Sequence, residues 1–155
     1  MIIKQLSRQP CRILIFAVFI LALGLSQAQA IEMVSVGRPQ VNMRSGPGTN
    51  HDVLWELGQG FPLMVIGRQG NWLKVRDFED DKGWVYRRLV DRTPHLVVKV
   101  PIGNIRSAPN ARAPIVGQAK YGVVLRTMER RKSWVKIKHE NGLTGWMARE
   151  LLWGW

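Results

Sequence analysis

Three groups of side chains have the types and spacing for chemistry. Ser45, His51 and Asp52 would supply a nucleophile, a base and an orienting acid. They do not fall on a strand-to-helix nucleophile elbow. At the matching positions 62 residues on, Ser107 is kept but His51 and Asp52 are replaced by Ala113 and Pro114. A polar turn is the better reading of Ser45. Asp77, Glu79 and Asp81 alternate as calcium ligands can. An EF-hand loop starting at Asp77 would need Gly at 82 and Glu at 88, where the chain has Lys82 and Arg88. His51, His95 and His139 are scattered and not repeated, which argues against a shared metal site. The single Cys, Cys11, leaves no disulfide framework and no Cys-based zinc site. No catalysis, metal or cofactor is expected.

The third group suits binding. In a strand over 72–76, Leu73 and Val75 point one way and Trp72, Lys74 and Arg76 the other. Residues 134–138 repeat this, with Val135 and Ile137 inward and Trp134, Lys136 and Lys138 outward. An indole stacks on a sugar ring or apolar side chain, and the cations attract carboxylates or phosphates. Arg130, Arg131 and Lys132 stand just before Trp134, at an expected loop tip, and add a polyanion-seeking cluster. The candidate ligand-binding residues are therefore Trp72, Lys74, Arg76, Trp134, Lys136, Lys138, Arg130, Arg131 and Lys132. Trp84 and Trp146, each following a Gly, are expected in the core.

Those residues must be positioned by small β units. Shifting the chain by 62 residues superposes Pro39 on Pro101, Asn42 on Asn104, Arg44-Ser45 on Arg106-Ser107 and Pro47 on Pro109. Gly60, Leu63, Arg68, Trp72, Lys74, Gly83-Trp84, Arg87 and Leu89 also meet identical partners, with no gap. Two copies of one fold follow, not a solenoid. Apolar runs are short and cut by Gly, Pro and Asn, and no stretch keeps a helical period. Strands are expected near 34–36, 63–66, 72–76, 96–100, 123–127 and 134–138. Asn141-Gly142 reads as a two-residue hairpin turn, with 80–83 as a looser counterpart. Units of about 60 residues bury little core, so the seven Trp are expected to help fill it.

The motifs carry a resemblance. Val41-Asn42-Met43-Arg44-Ser45-Gly46-Pro47-Gly48, then Gly70-Asn71-Trp72-Leu73-Lys74-Val75, then Gly83-Trp84-Val85 with Leu89, resemble the three successive motifs of bacterial SH3 domains. Repeat 2 is similar in weaker form, through Asn104–Pro109, Ser133–Ile137 and Gly145-Trp146-Met147. The resemblance implies an all-β chain of two tandem SH3-like barrels. It also implies a non-catalytic module of envelope or secreted proteins, of a kind that targets wall hydrolases or binds peptidoglycan peptides. The catalytic domain that often accompanies such modules is not expected before the last residue, Trp155.

The first 30 residues read as a secretory signal peptide. Lys4, Arg8 and Arg12 precede a wholly apolar run over 13–25, and Ala28 and Ala30 supply a cleavage site after Ala30. The expected organisation is a signal peptide over 1–30 and repeats over 31–92 and 93–155. The exported product would be periplasmic or secreted, with no stable membrane span after cleavage. Over the whole chain 23 Lys and Arg face 11 Asp and Glu, a formal charge of +12. Residues 41–90 hold 7 basic and 6 acidic side chains; residues 93–155 hold 11 and 3. Repeat 2 should therefore supply the attraction for anions. Peptidoglycan or another anionic envelope polymer is the expected partner. A periplasmic protein–protein adaptor for an envelope enzyme or receptor, or a general polyanion binder, is the alternative, and nucleic acid is a poor fit for an exported chain. Trp153 and Trp155 at the tail are expected to pack between the barrels.

Overall fold

The computed structural model describes residues 31–155. The expected signal peptide, its cleavage site and Cys11 lie outside the described residues. Fourteen strands form in two successive sets of seven. The first set is β1 (Glu32–Val36), β2 (Gln40–Arg44), β3 (Val53–Gly58), β4 (Pro62–Gln69), β5 (Trp72–Arg76), β6 (Lys82–Tyr86) and β7 (Val90–Asp91). The second is β8 (His95–Val98), β9 (Ile102–Arg106), β10 (Ile115–Lys120), β11 (Val124–Arg131), β12 (Trp134–Lys138), β13 (Thr144–Ala148) and β14 (Leu152–Gly154). Short 3-10 turns, Arg87–Leu89 and Arg149–Leu151, precede the last strand of each set. The described residues are all-β, as the short apolar runs predict. No helix among the described residues is long and apolar enough to cross a membrane.

Each set is one antiparallel sheet, ordered β3-β2-β6-β5-β4-β1-β7 and β10-β9-β13-β12-β11-β8-β14. Period-two alternation sets the register. Leu73 and Val75 sit opposite Val85 and Gly83, so β5 and β6 share one inward face. The first core gathers Val34, Val36, Val41, Met43, Leu57, Leu63, Leu73, Val75 and Val85. The second gathers Leu96, Val98, Ile105, Ala119, Leu125, Val135, Ile137, Met147 and Leu152.

Neither buried cluster contains a Trp, which corrects the expectation for Trp84; Trp146 is buried as expected, though outside the cluster. Trp84 is half-buried and lies on the outer face, opposite Lys74 across β5 and β6. Trp146 is buried, but it shares the outer face with Lys136 and lies under the guanidinium of Arg131, 5.4 Å from its ring centre. The period-two rule itself requires this. Each Trp is adjacent in sequence to a core residue, Val85 or Met147, and so must point the other way.

The hairpin turns also differ from expectation. Between β12 and β13 the closing bond is from His139 N–H to Leu143 O, at 2.9 Å. The loop proper is thus Glu140–Gly142, with Gly142 at φ 90°. Repeat 1 has the same loop: Asp77 N–H donates to Asp81 O at 3.0 Å, and Asp80 takes the positive-φ place at 68°. The two turns are one geometry, a three-residue loop with a left-handed last position. Asp tolerates that position better than most side chains.

The two sheets meet along a seam. Met33 and Ser35 on β1 and Val97 on β8 face away from their own cores, yet they are buried. The tail closes the seam, as expected. Gly154, at φ 120°, leaves no room for a Cβ, which would fall 2.8 Å from His95 O and 3.2 Å from Pro62 Cβ. Arg149 holds the tail by donating to Leu152 O and Gly154 O at 2.8 and 2.9 Å. Burial pushes its pKa below the ordinary value, with Arg130 adding to the effect. Trp155 Nε1–H then donates to Ser35 Oγ at 3.1 Å, joining the last residue to the first strand. A second contact forms where the repeat 2 loop residue Tyr121 donates to Glu79 Oε1 at 2.6 Å, its ring 5.3 Å from Phe78.

Candidate binding face

The outer face of β5 carries Trp72, Lys74 and Arg76, and that of β12 carries Trp134, Lys136 and Lys138. Their surroundings differ. In repeat 1, Trp72 meets the edge of Tyr86 at 5.4 Å between ring centres. The pair lines a groove of about 850 Å³ together with Asn42, Gln40, Glu56 and Arg44. Gln40 Nε2 donates to Glu56 Oε2 at 2.7 Å, which orients both groups at the groove margin.

Arg44 is structural here. Its Nη1 donates to Thr49 O and His51 O at 3.2 and 2.8 Å and pins the 45–52 loop that forms the groove's end. Ser45 N–H to Asp52 O, at 2.9 Å, closes the base of that loop. The His51 ring lies on Gly46, where a Cβ would fall 2.5 Å from the imidazole and displace it. The Ser45, His51 and Asp52 side chains share no hydrogen bond among the described residues, and the turn reading accounts for them.

Lys74 and Arg76 are engaged elsewhere. Lys74 Nζ stands 6.0 Å from the Trp84 ring centre. Arg76 pairs with Asp80 at 2.7 Å and donates to Met64 Sδ at 3.2 Å. Of the repeat 1 row, only Trp72 lines the groove.

Among the described residues, repeat 2 shows a much smaller hollow at the matching place. Ala148 stands where repeat 1 has Tyr86, so Trp134 lacks an aromatic partner. The hollow beside it is about 160 Å³, lined by Ser133, Trp134, Ala148 and Glu150. The basic cluster is partly consumed. Arg131 pairs with Glu129 at 2.6 Å besides covering Trp146. Arg130 and Arg131 end β11, and Lys132 takes the hairpin turn at φ 51°, so only Lys132 is at a loop tip. Lys138 stands apart, at a cleft between the repeats.

The acidic trio draws together at the hairpin of repeat 1, with the carboxylates of Asp77, Glu79 and Asp81 within 4.8 Å of one another. Asp77 is buried and accepts from Glu79 N–H and Asp81 N–H, each at 2.9 Å. Burial raises its pKa above the ordinary carboxylate value, against the lowering effect of those two bonds. Glu79 is spent on Tyr121, whose phenol it holds above its ordinary pKa. The trio thus folds the hairpin and docks repeat 2, the polar-tip reading.

Sequence reasoning missed Tyr86, Asn42, Gln40 and Glu56 as groove residues. The missing signal was the cross-strand register, which sets Trp72 opposite Tyr86. The Tyr86/Ala148 mismatch at the repeat offset would have pointed to it.

The folds and motifs match known proteins. Two family models, each described as a bacterial SH3 domain, match residues 37–92 and 102–152. The chain belongs to the bacterial SH3 domain family and carries two such domains in tandem. A Bacillus subtilis (strain 168) protein, YrvJ, provisionally named an N-acetylmuramoyl-L-alanine amidase, is 28% identical over 145 residues. The match takes in 82% of this chain, which spans only 28% of that relative's length. Among solved structures, NlpC2 from Trichomonas vaginalis aligns with a TM-score of 0.36 at 14% identity, over 81% of this chain and 48% of that one. An NlpC/P60 family protein from Bacillus cereus ATCC 10987 aligns with a TM-score of 0.37 at 11% identity, over 79% and 56%. Superpositions that loose carry no argument about function.

Proposed function

We propose that this chain is an exported, non-catalytic module that recognises peptidoglycan, and that the Trp72–Tyr86 groove of repeat 1 is its main recognition face. A leader over 1–30, cut after Ala30, would deliver residues 31–92 and 93–155 to the envelope as the two working units. The observation that carries the reading is the groove itself. It places two aromatic edges beside amide and carboxylate groups in a hollow of about 850 Å³. Aromatic walls take up glycan faces or apolar side chains, while Asn42, Gln40 and Glu56 offer donors and acceptors to peptide amides and hydroxyls. The family supports a binding role, and the relative's name supports the wall as the setting.

In this reading the basic surface of repeat 2 gathers anionic wall polymer and raises the local concentration, a salt-sensitive effect. Repeat 1 supplies the selectivity. Muropeptide titration of the chain from Ile31 to Trp155 tests this. Tryptophan fluorescence should change saturably in the unaltered chain and in Trp134→Ala, and should fail to do so in Trp72→Ala. An adaptor for an envelope protein is the second reading. It is favoured by one observation: Val53, Leu54 and Trp55, all about half exposed, follow one another on the edge strand β3. An adaptor would leave muropeptides unbound and bind a protein partner through β3.

A further inference from the structure

We propose that the cleft between the two repeats is a second binding site, built for the oxyanion of a carboxylate- or phosphate-bearing ligand. Its base is a row across three strands. His95 on β8 stands opposite Arg126 on β11, and Arg126 stands opposite Lys138 on β12. Leu96, Leu125 and Ile137, their sequence neighbours, point into the core, so all three side chains face outward together. The row lines a cleft of about 540 Å³ that repeat 1 completes through Gly58 and Gln59.

Like charges set directly opposite on adjacent strands are destabilising. Here Arg126 and Lys138 face each other with no carboxylate within ion-pair distance among the described residues. Glu140 is the one acid lining the cleft, so the basic side chains of Arg126 and Lys138 outnumber it. An arrangement that costs free energy when empty is relieved by an anion lying between the cations. Arg126 offers a planar fork for two oxygens of one group, and Lys138 a point charge beside it.

The imidazoles are held in place. His95 Nδ1 is 3.0 Å from Thr93 O, which makes Nδ1 the donor, and its Nε2 edge packs against Gly60 of repeat 1. A Cβ on Gly60 would fall 2.9 Å from the His95 ring, so a glycine lets repeat 1 close over this residue. His139 Nδ1 accepts from Asn141 N–H at 3.2 Å, which leaves its Nε2–H free to donate.

The corresponding row of repeat 1 shows what the site is not. At the offset of 62 it reads Met33, Met64 and Arg76. Its single cation is neutralised by Asp80, and Gly142 stands at Asp80's place in repeat 2. Repeat 1 thus has the same register with the charge removed. Repeat 2 has gained two cationic or titratable groups and lost the neutralising acid.

The test is an NMR titration of the chain from Ile31 to Trp155 at constant ionic strength, with inorganic phosphate in one arm and acetate in the other. Saturable shifts centred on His95, Arg126, Lys138 and His139 are expected, weakened about tenfold or more in Arg126→Met, the residue repeat 1 carries there. Lys138→Met should weaken them too and guards against a fold defect in the first variant. Saturation by phosphate alone assigns a phosphate ligand, and by acetate alone a carboxylate. Shifts that grow without saturating, that centre on Arg130–Lys132, or that survive Arg126→Met overturn the proposal. Trp72 and Tyr86 signals should stay in place, which separates this site from the repeat 1 groove that muropeptide titration tests.

Discussion

Repeat 1 and repeat 2 share a register, a core pattern and the same loop geometries, yet they present opposite surfaces. Repeat 1 is close to neutral, with a walled groove, and Arg68 and Arg76 are already paired with Glu32 and Asp80. Repeat 2 is strongly basic and has a hollow of only about 160 Å³ beside its Trp. One fold therefore tolerates two surface chemistries, because outward positions alternate with the core positions that fix the fold. The Trp–basic row appears in both repeats and has a different fate in each. Trp72 gains Tyr86 and becomes a wall. Trp134 faces Ala148 and does not. A motif seen twice is thus not a site seen twice. What decides is the residue across the strand.

The comparison can be broken first at the cores. Leu63 and Leu125 occupy the same place and are fully buried. Truncating either to Ala should cost about 2–5 kcal/mol by denaturant unfolding. A single cooperative transition in both variants would show that the seam couples the repeats. Two separated transitions would show that the Trp155–Ser35 and Tyr121–Glu79 contacts do not.

The groove comes next. Tyr86→Ala gives repeat 1 the side chain of repeat 2 and should weaken muropeptide binding about tenfold, a loss typical of an aromatic anchor. The reciprocal Ala148→Tyr should build a wall beside Trp134 and produce binding on that face of repeat 2, where the unaltered chain should show none. Calorimetry on both variants would sharpen the comparison to one residue.

Much of this was legible in the sequence. The gapless offset of 62 fixed the repeat, and every strand of the second set falls at that offset from the first, apart from slight differences at the ends of the outer pair. The outward row followed from alternation alone. Bulges were hidden. Leu54, Ile66, Val116 and Met128 are each the extra residue of a strand pair, at matching places in the two repeats, and all four are exposed despite being apolar. An inserted residue breaks the period of two, so a pattern reading buries it wrongly. The position of Trp84 was misread because bulk was allowed to outweigh alternation, whereas Trp146 is buried as expected but on the outer face. The groove was unreadable because its walls, Trp72 and Tyr86, meet only through cross-strand register.

Smaller effects refine the account. The Thr127 hydroxyl of β11 is buried without a partner, and repeat 1 carries Val65 at that place. Thr127→Val should stabilise the chain by about 1 kcal/mol, seen as a raised denaturation midpoint with unchanged slope. Asp77 supplies the smallest effect and the one with a pH signature. Its folded pKa is raised by burial, so just above its unfolded value of about 3.9 the native state binds more protons than the unfolded state. Its contribution to stability therefore falls as pH rises through that window and stays low above it. Asp77→Asn keeps an acceptor for the amides of Glu79 and Asp81 and removes the titration. The difference in stability between this variant and the unaltered chain should shift in favour of the variant as pH rises from about 4.

The central claim is that selectivity resides in repeat 1 and charge in repeat 2. It is tested most directly by co-sedimentation of the chain from Ile31 to Trp155 with purified sacculi, at low and high salt. The account predicts that the unaltered chain and Trp134→Ala pellet at both salts, and that Trp72→Ala pellets at low salt only. Equal loss in the two Trp variants at high salt, or no retention of the unaltered chain there, would contradict it.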